Sequence, residues 1–223
     1  MSSSHSFLRW FRGAAPSAAK PDANASAAPR TSRRCIGLGE FTRELKGTEE
    51  RKLAVLDLGP TSPANISFLT DRNVRAYNED ILRASQDPAL LLKQPDGTTR
   101  FDTQAFFAEN LVHPEGHFDA VLCWDVADYL PEDLVKPVTE TLYRLVKPQG
   151  LLLALFHTKD AGPNAPYFHY HIVKPDTLEL EQGSGFRVQR IFNNRHIENL
   201  FRDFASRKFF LGRDNLREVI VVR

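Results

Sequence analysis

The strongest constraint on this chain is the stretch Lys52–Leu69, Lys-Leu-Ala-Val-Leu-Asp-Leu-Gly-Pro-Thr-Ser-Pro-Ala-Asn-Ile-Ser-Phe-Leu. An apolar run from Leu53 to Leu58 bounded by turn residues reads as a buried parallel strand. Ser62 is placed to cap a following helix and Pro63 suits its first position, with Ile66 and Leu69 expected on one helix face. A strand, a turn and a helix in that order form the opening at which open α/β sheets bind nucleotide-like ligands.

Composition agrees with a single sizeable domain. The chain has 223 residues, 42% apolar and 26% charged, with a formal net charge of +1, all ordinary for a globular protein. Residues 1–34 carry six Lys/Arg and one acid, hence +5, which leaves the remaining chain at about −4. Such a body does not attract phosphate backbones over long range, so no nucleic-acid partner is expected. No apolar run reaches the roughly 20 residues of a membrane span. Cys35 and Cys123 are too few for a disulfide framework and form no CxxC pair, and Cys123 reads as an inert core thiol. A soluble, cytoplasmic protein with no metal site is expected.

Residues 1–34 are rich in Ser, Ala, Pro and Arg and read as a disordered leader, with the folded domain at 35–223. Two other readings stand: a peripheral membrane contact through Phe7 to Arg12, and an organellar targeting peptide. A charged helix is expected from Gly39 to Arg51, packed across the sheet edge or over the ligand cleft. A strand follows at Val74–Tyr77, then helical spacing from Ile81 to Leu92, a turn at Pro95-Asp96-Gly97 and a helix from Thr103 to Leu111. The third strand of the sheet belongs somewhere in 81–117. Phe118–Trp124 reads as another buried strand. Because Pro137 is unsuited to a helix interior, the next helix is expected to start there, and Leu151–Phe156 is again a strand. Asn193–Phe204 has helical periodicity, and a hairpin turns at 212–215.

Asp57-Leu58-Gly59 at the end of the first strand resembles motif I of the class I S-adenosylmethionine (SAM)-dependent methyltransferases. The family pattern runs Asp/Glu-x-Gly-x-Gly-x-Gly; here Pro60, Thr61, Ser62 and Pro63 stand where the later glycines would be. Phe118-Asp119-Ala120-Val121 resembles the fourth-strand motif of the same family, and Val146-Lys147-Pro148-Gln149-Gly150-Leu151 its helix-to-fifth-strand junction. The resemblance covers about residues 40–223. It implies a Rossmann-like, mostly parallel seven-stranded sheet with an antiparallel C-terminal hairpin strand, and SAM as cofactor. The implied cofactor-binding residues are Asp57 and Gly59, the hydroxyls of Thr61 and Ser62, Glu79 or Asp80 for the ribose hydroxyls, and Asp125 at the mouth of the fourth strand.

The implied reaction is methyl transfer to a small molecule or protein side chain, a direct displacement that asks mainly for alignment and exclusion of water. No residue is assigned as catalytic. His157 is placed where a base or acceptor could be held, Tyr129 lines the pocket or packs, and 160–170 reads as a substrate-side lid. His169-x-His171 lacks a third metal ligand and reads as a solvent-facing pair. The alternative function is a methyltransferase-like module that has lost catalysis and serves in binding or regulation, a reading that the missing glycines favour. A nicotinamide-dependent Rossmann enzyme ranks last, since the Gly-x-Gly-x-x-Gly fingerprint is absent.

Overall fold

Leu53–Asp57 forms the central strand because its side chains are needed on both sides of a sheet: Val55 packs into one apolar core and Leu56 into the other, both with no exposure. The same alternation runs through its neighbours. Ala120, Leu122 and Trp124 face one core while Val121 and Cys123 face the second, and Leu153 and Leu155 oppose Leu152, Ala154 and Phe156. A period of two with apolar residues on both faces is the signature of a sheet buried between two layers.

The computed structural model describes residues 30–45, 51–162, 164–212 and 214–223. In chain order the elements begin with β1 (Arg30–Arg34), α1 (Ile36–Glu44), β2 (Leu53–Asp57), α2 (Pro63–Thr70), β3 (Val74–Asn78) and α3 (Ile81–Ala84). There follow β4 (Leu91–Lys93), β5 (Thr99–Phe101), α4 (Thr103–Glu109), β6 (Phe118–Trp124), α5 (Val126–Tyr129) and α6 (Glu132–Leu145). The chain closes with β7 (Val146–His157), β8 (Phe168–Lys174), β9 (Thr177–Gln182), α7 (Asn194–Leu200), β10 (Ser206–Leu211) and β11 (Leu216–Val222).

Among the described residues the main sheet has six strands, in the order β10-β11-β7-β6-β2-β3. Strands β3, β2, β6 and β7 are mutually parallel, and β11 runs against both β7 and β10. This is the expected α/β architecture with its C-terminal hairpin, with six of the expected seven strands among the described residues. The segment searched for the third strand instead folds β4 and β5 into a separate two-stranded hairpin. All of β4 is exposed, and of β5 only Phe101 is buried, so neither offers the two apolar faces that a place in the main sheet demands.

Other boundaries also differ from expectation. Helix α3 stops at Ala84, and Pro88 opens a short 3-10 turn. Helix α1 lies against β7, β10 and β11, away from the strand ends that form the cleft. Helix α6 runs through Pro137. The proline removes only the bond that residue 137 would give to Asp133, whose side is exposed, while Leu134, Val135, Val138, Leu142 and Leu145 bury one continuous stripe. At the junction before the β7 core, Gly150 is obligatory: a Cβ there would lie 2.8 Å from the Asp119 carbonyl and 2.6 Å from a Val146 methyl.

A second, antiparallel sheet, β1-β9-β8, covers the face carrying α1 and α2. Its first strand begins at Arg30, so the folded body reaches into the stretch read as a leader; residues 1–29, including Phe7 to Arg12, lie outside the described residues. Strand β1, Arg-Thr-Ser-Arg-Arg, has no apolar alternation and is held by charge. Arg30 meets Glu181 at 2.7 Å, Arg34 meets Asp176 at 3.1 Å, and the buried Arg33 guanidinium pairs with Glu218 at 2.9 Å and with Asp214. Glu218, 1% exposed, also accepts the Gly37 N–H at 2.5 Å. This buried pair joins β1 and α1 to the C-terminal hairpin.

Removing one partner of a buried pair leaves an uncompensated charge, so Arg33→Ala is expected to cost about 3–5 kcal/mol in urea denaturation. Asp214→Asn, at the exposed end of the same guanidinium, should cost under about 1 kcal/mol. Equal effects of the two substitutions would contradict this account of the clamp.

Candidate functional site

The C-terminal ends of β2, β3 and β6 meet at the turn 58–62, where an open α/β sheet places its ligand crevice. Asp57 ends β2 with its carboxylate buried. One oxygen accepts the Gly59 N–H at 3.0 Å and the Trp124 indole N–H at 2.6 Å; the other accepts the Asn65 amide at 2.8 Å. Burial raises the Asp57 carboxyl above its ordinary range against the pull of these donors. Gly59 keeps the backbone bare, and what uses the space is the indole: a Cβ on Gly59 would lie 3.1 Å from Trp124 Nε1.

Trp124 reaches across because of its backbone. It is the last residue of β6, its φ is +49°, and the register against β7 slips between Leu122 and Trp124. A tryptophan in the left-handed region is strained unless its surroundings hold it. They do so here, with Asp57 on its N–H and the Tyr170 ring stacked on its face at 5.2 Å and 9°. The Tyr170 hydroxyl donates to Asp125 Oδ2 at 2.7 Å. Asp125 is 1% exposed, and burial pushes its carboxyl up to about 7.

Helix α2 fastens the covering strand. Ser62 caps the helix, accepting the Asn65 N–H at 3.2 Å, and its hydroxyl also meets His171 Nδ1 at 2.8 Å. Asn65 lies on the buried face with Phe68 and Leu69, while Ile66, expected there, is exposed. Its amide donates to the Tyr170 carbonyl at 3.0 Å and accepts the Ile172 N–H at 2.7 Å. The space left among Gly59, Ser62, Leu82, Trp124, Asp125 and Tyr170 is about 20 Å³.

The structure thus gathers Gly59, Ser62 and Asp125 around one cleft, with Thr61 exposed at its rim and Asp57 buried against Gly59, Asn65 and Trp124. Thr61 donates to Asn78 Oδ1 at 2.5 Å, and the Asn78 amide donates to the carbonyls of Asp57 and Gly59, latching the turn to β3. Glu79 and Asp80 stand at the end of β3 with their carboxylates engaged. Glu79 accepts from Leu111 N at 2.8 Å and meets His113 Nε2 at 2.5 Å, and Asp80 caps α3 through Arg83 N at 3.0 Å. His171 is not solvent-facing: it is 8% exposed, between Ser62 and Glu181, and no metal-holding cluster exists among the described residues.

Sequence reasoning missed the parts played by Asn65, Trp124 and Tyr170. Only Trp124 carries a local signal, a large aromatic ending a buried strand, and that says nothing of where the ring turns.

A second polar group lies at the end of β7. His157 is buried, and Asp128 Oδ2 accepts its backbone N–H at 2.7 Å and meets its Nδ1 at 2.9 Å. Burial lowers the imidazole and the Asp128 hydrogen bond and carboxylate charges raise it, with the net shift upward. His157 borders an open cavity of about 850 Å³ together with Arg33, Phe168, Leu180 and Leu211. Tyr129 packs edge-on to His157 and donates to the Pro166 carbonyl at 3.3 Å.

A carboxyl raised by folding binds its proton more tightly in the native state, so it costs stability as pH climbs from the unfolded value near 4 to about 7. Asp125→Asn keeps an acceptor for Tyr170 without the charge. Its melting temperature relative to wild type should therefore rise between pH 4 and 7 and level off above; a pH-independent difference would contradict a buried, titrating Asp125.

Residues 56–154 match a family model described as a methyltransferase domain. Among curated proteins none matches the chain in sequence. Similar solved structures include a 1,6-didemethyltoxoflavin-N1-methyltransferase from Burkholderia thailandensis, solved with 1,6-didemethyltoxoflavin and S-adenosylhomocysteine, at 13% identity and TM-score 0.46 over 84% of this chain and 76% of that one. An S-adenosylmethionine-dependent methyltransferase from Mesorhizobium loti aligns at 12% identity and TM-score 0.48, over 84% and 96% of the two chains. One from Methanosarcina mazei aligns at 15% and 0.47, over 77% and 92%. Residues 56–154, which run from the second strand to the middle of β7, are thus similar to a methyltransferase domain.

Proposed function

We propose that this protein transfers a methyl group from SAM to an acceptor, a small molecule or a protein side chain, in the cytoplasm. The carrying observation is the Asp57-Leu58-Gly59 turn at the C-terminal end of β2, inside the segment that matches the methyltransferase domain. SAM is the methyl donor such a domain implies. The cavity beside His157 suits an acceptor: Asp128 holds one side of the imidazole, and the residue borders the open space. The near-neutral charge supports no nucleic-acid partner. Both described cysteines are free thiols, buried and pushed up to about 12 by that burial, which suits a reducing compartment. Among the described residues no helix is long and apolar enough to cross a membrane.

As it stands, the cleft does not fit SAM. Pockets for ligands of this size run to about 300–1,000 Å³, against the roughly 20 Å³ free at the turn. The carboxylates of Asp57, Glu79 and Asp80 are engaged by the chain's own donors. That observation favours a second reading, in which the cleft is permanently closed and the domain serves as a binding or regulatory module.

Calorimetric titration of the full chain with SAM and S-adenosylhomocysteine separates the two. Methyl transfer predicts saturable binding that weakens about tenfold or more in Asp57→Asn, which keeps the shape but loses the charge that would meet an amino group. A folded sample giving no heat with millimolar ligand would favour the binding-module reading.

A further inference from the structure

Three features of the cleft are tied to one another. The indole N–H of Trp124 sits on Asp57, where an ammonium or amino N–H of a donor would also be satisfied. Trp124 holds φ +49° at a register slip in β6, a conformation sustained by what grips its ring. Tyr170 covers the ring face, is anchored through its hydroxyl to Asp125, and belongs to a strand that Asn65 grips by donating to the Tyr170 carbonyl and accepting the Ile172 N–H. Together they fill the one place where Gly59 leaves the backbone bare. A turn built without side chains, with a carboxylate facing it, is then used by two aromatic side chains of the same protein.

We propose that Trp124 and Tyr170 are a removable two-ring plug in the methyl-donor cleft, which competes with the donor for Asp57 and for the space over Gly59. This deepens the SAM-dependent reading and rests on it. Leaving the left-handed conformation re-aims the Trp124 side chain, so displacing the indole from Asp57 and relieving its backbone strain are one movement. Tyr170 is the latch, because its ring and its bond to Asp125 hold the indole in place. The donor-competent state is the minor one, and the apparent affinity for a donor is reduced by its fraction. Any partner or acceptor that draws Tyr170 away from Trp124 thereby increases donor binding.

The test uses the full chain carrying Trp10→Phe, so that Trp124 is the sole tryptophan, titrated with S-adenosylhomocysteine by calorimetry and by fluorescence. Tyr170→Ala, which removes the latch, should bind about tenfold more tightly than this parent. Trp124→Phe, which keeps a ring but frees Asp57, should also bind more tightly. Saturation of the parent should change Trp124 emission as the ring leaves Tyr170 and Asp57. A folded Tyr170→Ala that binds no better than a binding parent, or Trp124 emission unmoved at saturation, would overturn the plug. Absence of binding in the parent, Tyr170→Ala and Trp124→Phe alike would instead overturn the methyl-donor reading on which it rests. Tyr170→Phe, which keeps the stack and loses only the bond to Asp125, gives an intermediate gain if the hydroxyl contributes to the latch; a loss of binding would count against it.

Discussion

A carboxylate buried at the end of a central strand must be satisfied, and the way Asp57 is satisfied organises the structure around it. Leaving such a group unpaired costs several kcal/mol. Its donors come from three separate places: Gly59 in the turn, Asn65 on α2 and Trp124 at the end of β6. Each brings its element with it. Gly59 shapes the turn, Trp124 closes β6 over β2, and Asn65 uses its remaining hydrogen-bonding capacity to hold β8 across the cleft. The second sheet is thereby joined to the first by polar bonds as well as by the apolar packing of Val55, Leu122, Leu153, Ile172 and Leu178.

Much of the main sheet was legible because its information is local. The run Leu53–Leu58, the Phe118–Trp124 strand, the Lys-Pro-Gln-Gly junction and the final hairpin all announce themselves within a few residues, and their order implies the topology. What was not legible depends on distant partners. Strand β1 is polar and becomes a strand only because Glu179, Glu181, Asp176 and Glu218 wait for its arginines. Pro137 falls where an exposed carbonyl loses little, which no local rule states. The third strand could not be found because that segment makes a separate hairpin instead.

The cleft was half legible in the same sense. The sequence put Asp57, Gly59, Ser62 and Asp125 at strand ends as candidates for a cofactor site, yet which groups they meet was hidden. The direction of the Trp124 ring follows from a positive φ and a one-residue slip against β7, neither of which leaves a mark in composition or periodicity. Glu79 looked like a ligand for a ribose and is engaged by Leu111 and His113, more than thirty residues on. His157, paired with Asp128, borders the open cavity, and Phe168 lines both that cavity and the closed cleft.

The central claim is that the indole of Trp124 is on Asp57 when no donor is present and off it when one is bound. The indole N–H resonance of Trp124, followed by NMR with and without S-adenosylhomocysteine, tests this most directly. The account predicts a resonance strongly protected from hydrogen exchange in the free protein, as expected for a buried bond to a carboxylate, that shifts and loses protection at saturation. A resonance that exchanges freely without ligand, or that stays unmoved and protected when the ligand is bound, would contradict it.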